Sequence, residues 1–282
     1  MTGTRRDPAL SIVVCSLGTA QLEETVASVL ASAERAGALV EVIAVWQASG
    51  PPPLLRAAAK VVATAPLGLS RARNRGLAAA AAPVVAFVDD DELVDGGWAG
   101  ALLAALEPGG AAAAFGPVEP LDDRGLPYCH LPPGAPRAFG GRVVPPWVVG
   151  TGGNMAFDRD VLRQLGGFDV RLGAGAEGRS AEESDMIVRL LRAGHRIVWV
   201  PEMGVYHPTK DEREQLASRF PYGFGMGRVV RKHRAPGIGA RYLTAALQSY
   251  AAGWRSRDAR RRREALATLR GFLAGVSTPV RL

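Results

Sequence analysis

Residues 84–91 read Val-Val-Ala-Phe-Val-Asp-Asp-Asp, five apolar residues running straight into three acids. An apolar run of this length reads as a buried strand that carries charge at its carboxyl end. Open α/β sheets bind their ligands in the crevice at that end. Three adjacent carboxylates repel one another, so a cation is the natural counter-charge, and hard oxygen ligands suit Mg²⁺ or Mn²⁺. The same acids also fit a solvated turn ahead of a helix beginning near Asp95. The triplet alone leaves both readings open.

Working outward, apolar runs and amphipathic stretches alternate. Residues 10–15 and 40–46 read as strands and 20–33 as a helix. After a break at Gly50–Pro53, residues 54–59 read as helical and 61–64 as extended. Ser70 caps a helix that Pro83 ends. Downstream, a helix is expected over 96–106, and the Pro- and Gly-rich stretch 117–147 is a poor candidate for regular structure. Then come a strand near 147–157, a helix at 159–165, a Gly-rich loop at 166–178, a helix at 182–194, and strands at 196–200 and 203–207. Helices are expected again beyond Pro208. This alternation predicts an α/β fold, a mostly parallel sheet flanked by helices on both faces. Residues 1–210 would form that domain and residues 211–282 a helical C-terminal appendage.

The 282-residue chain carries a net charge of +7, unevenly placed. Residues 211–282 hold fifteen Lys/Arg against five Asp/Glu, so the remainder is slightly acidic. Such asymmetry suggests a polyanionic partner for the tail. No run of about 18 apolar residues could span a membrane. The first ten residues lack a secretory pattern, and the two cysteines, Cys15 and Cys129, make a disulfide framework unexpected. A cytoplasmic location is expected.

Four segments carry chemistry. Ser70-Arg71-Ala72-Arg73-Asn74-Arg75-Gly76 opens a helix with cations, suited to an anionic ligand or to a solvated face. The acid triplet follows. Gly150-Thr151-Gly152-Gly153-Asn154 lets backbone approach a ligand or a neighbouring strand. Glu182-Glu183-Ser184-Asp185 opens another helix, where acids also serve the macrodipole.

In this order the segments resemble the family-2 glycosyltransferases of GT-A fold, of the bacterial glycan-building type. The resemblance spans about 10–210 and rests on SRARNRG, AAPVVAFVDDDEL, GTGGNMAF, GGFD, EESDMIVRLLRAGHRIVWVP and VYH. It implies a nucleoside-diphosphate sugar donor at the sheet's crevice, contacted by Arg71, Arg73, Asn74, Asp89, Asp90 and Trp46. It implies Mn²⁺ or Mg²⁺ held by Asp89, Asp91 and His207, and an acceptor hydroxyl on the side of Gly152, Gly153 and Asn154. By the family's motif Glu183 would be the general base, with inversion at the anomeric carbon. Glu183 stands where Asp is customary, so Glu182 and Asp185 stay in contention. An acid that reads the nucleobase is missing after Val45, where Trp46 and Gln47 stand, so the nucleotide stays open.

The tail adds Trp254, Arg255, Arg257 and Arg260–Arg263 ahead of Leu266, Leu269, Phe272 and Leu273. A basic helix with an apolar side suits an anionic membrane surface, at the inner face of which a lipid-linked acceptor would be reached. It equally suits packing on the domain or on a second subunit. Nucleic acid is not expected, because no recognition motif accompanies the charge. Two rival functions remain: a sugar-phosphate nucleotidyltransferase, for which Ser16-Leu17-Gly18-Thr19 is a poor Gly-rich signature, and a non-catalytic binding module on a sugar-nucleotide fold.

Overall fold

The computed structural model describes residues 7–52, 55, 59–65, 67–107, 109–126 and 131–279. The first part alternates strand and helix: β1 (Leu10–Ser16), α1 (Leu22–Arg35), β2 (Val40–Trp46), β3 (Lys60–Ala63), α2 (Leu69–Ala79) and β4 (Val84–Asp89). Next come β5 (Leu93–Val94), α3 (Trp98–Ala105), β6 (Ala113–Phe115), β7 (Val118–Pro120) and β8 (Arg137–Phe139). A 3-10 turn at Pro146–Val148 leads to β9 (Asn154–Asp158), α4 (Arg159–Gln164), α5 (Glu182–Arg192), β10 (Ile197–Trp199) and β11 (Val205–His207). Three long helices follow: α6 (Glu212–Lys232), α7 (Pro236–Arg255) and α8 (Ala259–Ser277).

The main sheet has the order β3-β2-β1-β4-β9-β6-β10-β8. Its first four strands are parallel, as the alternation predicts. Beyond β4 the sheet is mixed, because β9 enters antiparallel to both β4 and β6. Six of its eight strands nevertheless point the same way, with β9 and β8 running against them, so the expectation of a mostly parallel sheet holds. A second, smaller sheet orders β5-β11-β7.

Period-two geometry splits β4 between two cores. Phe87 faces Phe157 and Phe168 in edge-to-face pairs, and Phe115 joins Phe157. Val84, Ala86 and Val88 face α1 and α3 through Val26, Val29, Trp98 and Leu102. A fully buried ring of this kind stabilises by roughly 1.5–3 kcal/mol. Both faces of β4 are apolar because both are covered.

Several boundaries differ from the sequence reading. The strand expected at 147–157 begins only at Asn154, since the glycines at 150, 152 and 153 form a turn. Gly68, not Ser70, is the N-cap of α2; Ser70 sits in the first turn and donates to Leu172 O at 2.7 Å. The stretch 117–147 contains β7 and β8. The helix expected over 54–59 falls largely outside the described residues, as does Cys129. Cys15 lies in β1, its thiol pushed up to about 12 by burial.

The appendage packs tightly. Helices α6 and α8 run side by side in the same direction, backbone against backbone. A Cβ on Gly223 would lie 2.2 Å from Thr268 O, and one on Gly271 would lie 2.2 Å from Phe220 O. Phe272 of α8 stacks on Tyr242 of α7 at 5.0 Å and shares a third core with Leu172, Ala181 and Val188 of the body. The tail's apolar stripe thus divides: Phe272 turns inward, while Leu266, Leu273 and Trp254 are exposed. No helix among the described residues is long and apolar enough to cross a membrane.

Candidate active site

Sheet register gathers the site. Cys15 of β1 is opposite Asp89, Ser16 is opposite Trp46, and Val88 is opposite Asn154. The carboxyl ends of β1, β2 and β4 therefore meet the start of β9 at one crevice. A cleft of about 750 Å³ opens there, lined by Arg73, Asp89, the 150–153 turn, Glu182, Glu183 and Ser184.

Arg73 is the hub. It is 2% exposed, and its guanidinium donates to Glu182 Oε1 at 2.5 Å, Asp89 Oδ1 at 3.2 Å and Gly152 O at 3.0 Å. Burial works against its charge, but Glu182 and Asp89 outweigh that and hold its pKa above the ordinary value. The side chain thus serves protein groups, where the sequence reading gives it to the donor. Asn74 is likewise engaged: it donates to Phe168 O and accepts from Phe168 N, both at 2.8 Å, tying α2 to the loop after α4. Arg71 is exposed at the start of α2.

The acid triplet separates by partner. Asp89 pairs with Arg73. Asp90 accepts from Thr19 Oγ1 at 2.9 Å, which latches the loop after β1 to the end of β4. Asp91 lies two residues before β5, and the small sheet sets β5 beside β11, which ends in His207. His207 Nδ1 lies 2.7 Å from Pro208 O, and a carbonyl oxygen can only accept. In the neutral ring this places the proton on Nδ1 and makes Nε2 an electron-pair donor. Nε2 faces Asp91 Oδ1 at 3.7 Å, too far for a hydrogen bond. One carboxylate and one imidazole facing each other are a donor pair of a kind that suits a divalent cation. Among the described residues no group of three or more such side chains forms a complete cage.

Sequence reading passed over Glu92. It is buried, and its Oε2 accepts from Asp89 N–H at 2.9 Å. Burial, then the charge of Asp89, hold its carboxyl well above the usual range. A Cβ on Gly153 would lie 2.3 Å from Glu92 Oε1, so a larger residue there would displace this carboxylate. Gly152 contributes its carbonyl to Arg73. Asn154, expected on the acceptor side, is a structural bolt: it accepts from Trp98 Nε1 and donates to Pro117 O and Met203 O. Trp46 donates its Nε1–H to Gly50 O at 3.2 Å, and its ring lies against Gly18 in the loop after β1.

At the start of α5 the three contending acids part company. Ala181 takes a left-handed φ of 69°, an uncommon conformation for a residue with a Cβ. Glu182 pairs with Arg73. Asp185 is fully buried on another face, accepting from Arg189 Nε at 2.8 Å and lying 2.6 Å from Lys232 Nζ and 2.7 Å from His233 Nε2. Burial opposes its charge, but these three partners hold its carboxyl below the ordinary value. Lys232 also reaches Asp169 at 2.7 Å, so the end of α6 clamps α5 to the Gly-Gly-Phe-Asp loop. That clamp carries no sequence signal, because Lys232 and His233 lie more than forty residues from the acids they hold. Glu183 is left facing the cleft, bonded to Ser184 Oγ at 2.9 Å. Burial, then the neighbouring charge of Glu182, raise its pKa from 4.5 to about 7.

The appendage also enters the cleft. Arg219, Tyr222 and Met226 of α6, Tyr242 of α7, and Arg260 and Arg261 of α8 line its far wall. Sequence reading gives none of these residues a role in the chemistry.

Comparisons with known proteins agree with this architecture. The chain is 33% identical over 175 residues to the succinoglycan biosynthesis protein ExoM of Rhizobium meliloti (strain 1021), covering 57% of this chain and 53% of that protein. It is 25% identical over 167 residues to a glucosyl-dolichyl phosphate glucuronosyltransferase of Haloferax volcanii, covering 53% and 50%. The chain thus spans about half the length of the curated relatives it matches. Among solved structures, the mannosyltransferase PcManGT from Pyrobaculum calidifontis, in complex with GDP-Man and Mn²⁺, superposes with a TM-score of 0.61 at 17% identity, over 97% of this chain and 88% of that one. The S. aureus TarS 1–349 complex with UDP-GlcNAc gives 0.58 at 18% identity, over 83% and 66%. These likenesses establish the GT-A fold. The profile of glycosyl transferase family 2 matches residues 11–166, more than half of the chain, which belongs to that family.

Proposed function

We propose that the chain moves a sugar from a nucleoside-diphosphate donor to an acceptor hydroxyl, with inversion and with Glu183 as general base. The observation that carries this reading is Glu183 itself. It is an acid facing a cleft at the carboxyl end of a nucleotide-binding type of sheet, with a pKa near 7. A base is most effective when its pKa lies near the working pH. Arg73 occupies Glu182 and the α6 clamp occupies Asp185, which leaves Glu183 to meet substrate.

In the reaction the acceptor oxygen attacks the anomeric carbon while its proton passes to Glu183. The bond from that carbon to the diphosphate oxygen breaks, and its electron pair leaves with the nucleoside diphosphate. One displacement inverts the configuration. Asp91 and His207 would hold a divalent cation, Mn²⁺ or Mg²⁺, which when bound neutralises charge on the departing diphosphate. The mannosyltransferase neighbour, complexed with GDP-Man and Mn²⁺, supports the use of a divalent cation. Asp89, fixed by Arg73 and by Glu92, stands at the donor end of the cleft.

Thermal melting with UDP or GDP, each with and without Mn²⁺, tests the donor and metal parts, since a ligand of the native state raises stability by mass action. At least one nucleotide should raise the melting temperature only with Mn²⁺, and Asp91→Ala and His207→Ala should each remove the effect. An equal rise in EDTA would contradict the metal assignment, and no rise with any nucleotide would contradict the donor.

A further inference from the structure

The far wall of the cleft is strongly cationic. Arg179, Arg219, Arg260 and Arg261 line it, against the two carboxylates Asp258 and Glu264. Both acids are engaged. Asp258 caps α8 by accepting from Arg261 N–H at 2.9 Å, and Glu264 pairs with Arg219 at 3.2 Å. Arg260 reaches Glu264 only at 4.0 Å. Among the described residues, Arg179 and Arg261 form no ion pair; neutral groups hold them instead. Arg179 lies over the rings of Phe220 and Phe224, at 5.5 and 5.3 Å, and takes a φ of 66° that few residues other than glycine adopt. Arg261 Nε donates to Ser249 Oγ at 3.3 Å.

Guanidinium groups held in place without carboxylates are suited to forked bonds with a phosphate or carboxylate ligand. A solvated helix end would account for Arg260 and Arg261 alone. It does not account for Arg179, which comes from a different segment and converges on the same cleft. The rings of Trp147, Tyr222 and Tyr242 line the wall as well, giving amphipathic surfaces against which a sugar ring can lie. Glu183 shares this cleft, so a ligand on the arginines would lie within the same cavity as the proposed base.

We infer that this wall is an acceptor subsite for a sugar bearing its own anionic group, a phosphate ester or a carboxylate, held by Arg179, Arg260 and Arg261. The word acceptor rests on the transferase reading; the affinity for an anionic sugar does not.

Titration calorimetry on the full chain, saturated with UDP and Mn²⁺, tests the inference with three probes: glucose 1-phosphate, methyl glucuronoside and neutral methyl glucoside. At least one anionic probe should bind about tenfold or more tightly than the neutral one, since contacts to charged groups account for roughly ten- to hundredfold in affinity. Which probe wins separates a phosphorylated from a carboxylated acceptor. The double variant Arg260→Ala/Arg261→Ala should abolish the preference with its melting curve intact, and Arg179→Ala should weaken it. Equal binding of all three probes, or a preference that survives the double variant, would overturn the proposal. Loss of UDP binding in the double variant would also overturn it, by assigning these arginines to the donor's diphosphate. Should UDP fail to bind the wild type, GDP takes its place; should neither nucleotide bind, the transferase reading fails, and the probes titrated into the chain alone still decide the anion site.

Discussion

Replacing Arg73 by methionine removes a cation shared by three groups. Arg73 is 2% exposed and Glu182 5%, so the variant leaves Glu182 ionised in the interior without its counter-charge. It also strips a donor from Gly152 O and the partner from Asp89. Removing one member of a buried pair costs about 3–5 kcal/mol, most of it from the charge left behind. Methionine fills much of the vacated space, which keeps the cavity contribution small. Since domains unfold with roughly 5–15 kcal/mol in total, the loss should be plain in urea denaturation followed by circular dichroism. The double variant Arg73→Met/Glu182→Gln removes the stranded charge and should recover about 2 kcal/mol of the loss. A loss below about 1 kcal/mol for Arg73→Met, or no recovery in the double variant, would refute the claim that this pair anchors the base of the cleft.

Activity should rise with pH through about 7, because Glu183 must be ionised to accept a proton. Glu182→Gln removes a charge that raises the pKa of Glu183 and should move the midpoint of the pH–rate profile downward; an upward shift would contradict the electrostatics. Asp169 and Asp185 are both held below their ordinary pKa, so their stabilisation is present above about pH 4 and lost as pH falls below it. Asp185→Asn should therefore flatten the decline of the urea midpoint in acid, and an unchanged slope would count against the clamp. Asn154→Ala leaves Trp98 N–H and two carbonyls without their partner and should cost at least about 2 kcal/mol, read from the same denaturation curves.

The parallel half of the sheet was legible because β1, β2 and β4 are buried on both faces and read as continuous apolar runs. β6 was not, since Ala113-Ala114-Phe115 sits in an alanine- and glycine-rich stretch without alternation or β-branching. The short strands β5, β7 and β8 owe their existence to pairing with distant segments, and no local pattern announces them. At the site, residue types were legible and partners were not. Arg73 looked like a ligand for an anionic substrate because its three acceptors lie 16, 79 and 109 residues downstream. Helix phase could have separated the acids of α5: two residues at 100° each put Asp185 about 200° from Glu183, on the other side of the helix. The appendage was the larger surprise. Its charge pattern suggested a surface, and only the folded chain brings Arg219, Arg260 and Arg261 into the cleft.

Glu183 is the residue on which the account turns, and its role can be measured directly. A nucleotide sugar that raises the melting temperature is offered with radiolabel on the sugar, and transfer to acceptor is followed for wild type and Glu183→Gln. The glutamine keeps the volume and cannot take the proton, and general-base catalysis contributes about 10²–10⁴-fold. The expected result is a fall in kcat of about a hundredfold or more, with donor affinity unchanged, because the base acts only as the acceptor oxygen attacks. A fall of less than about tenfold, with donor still bound, would contradict the assignment of Glu183 as the base.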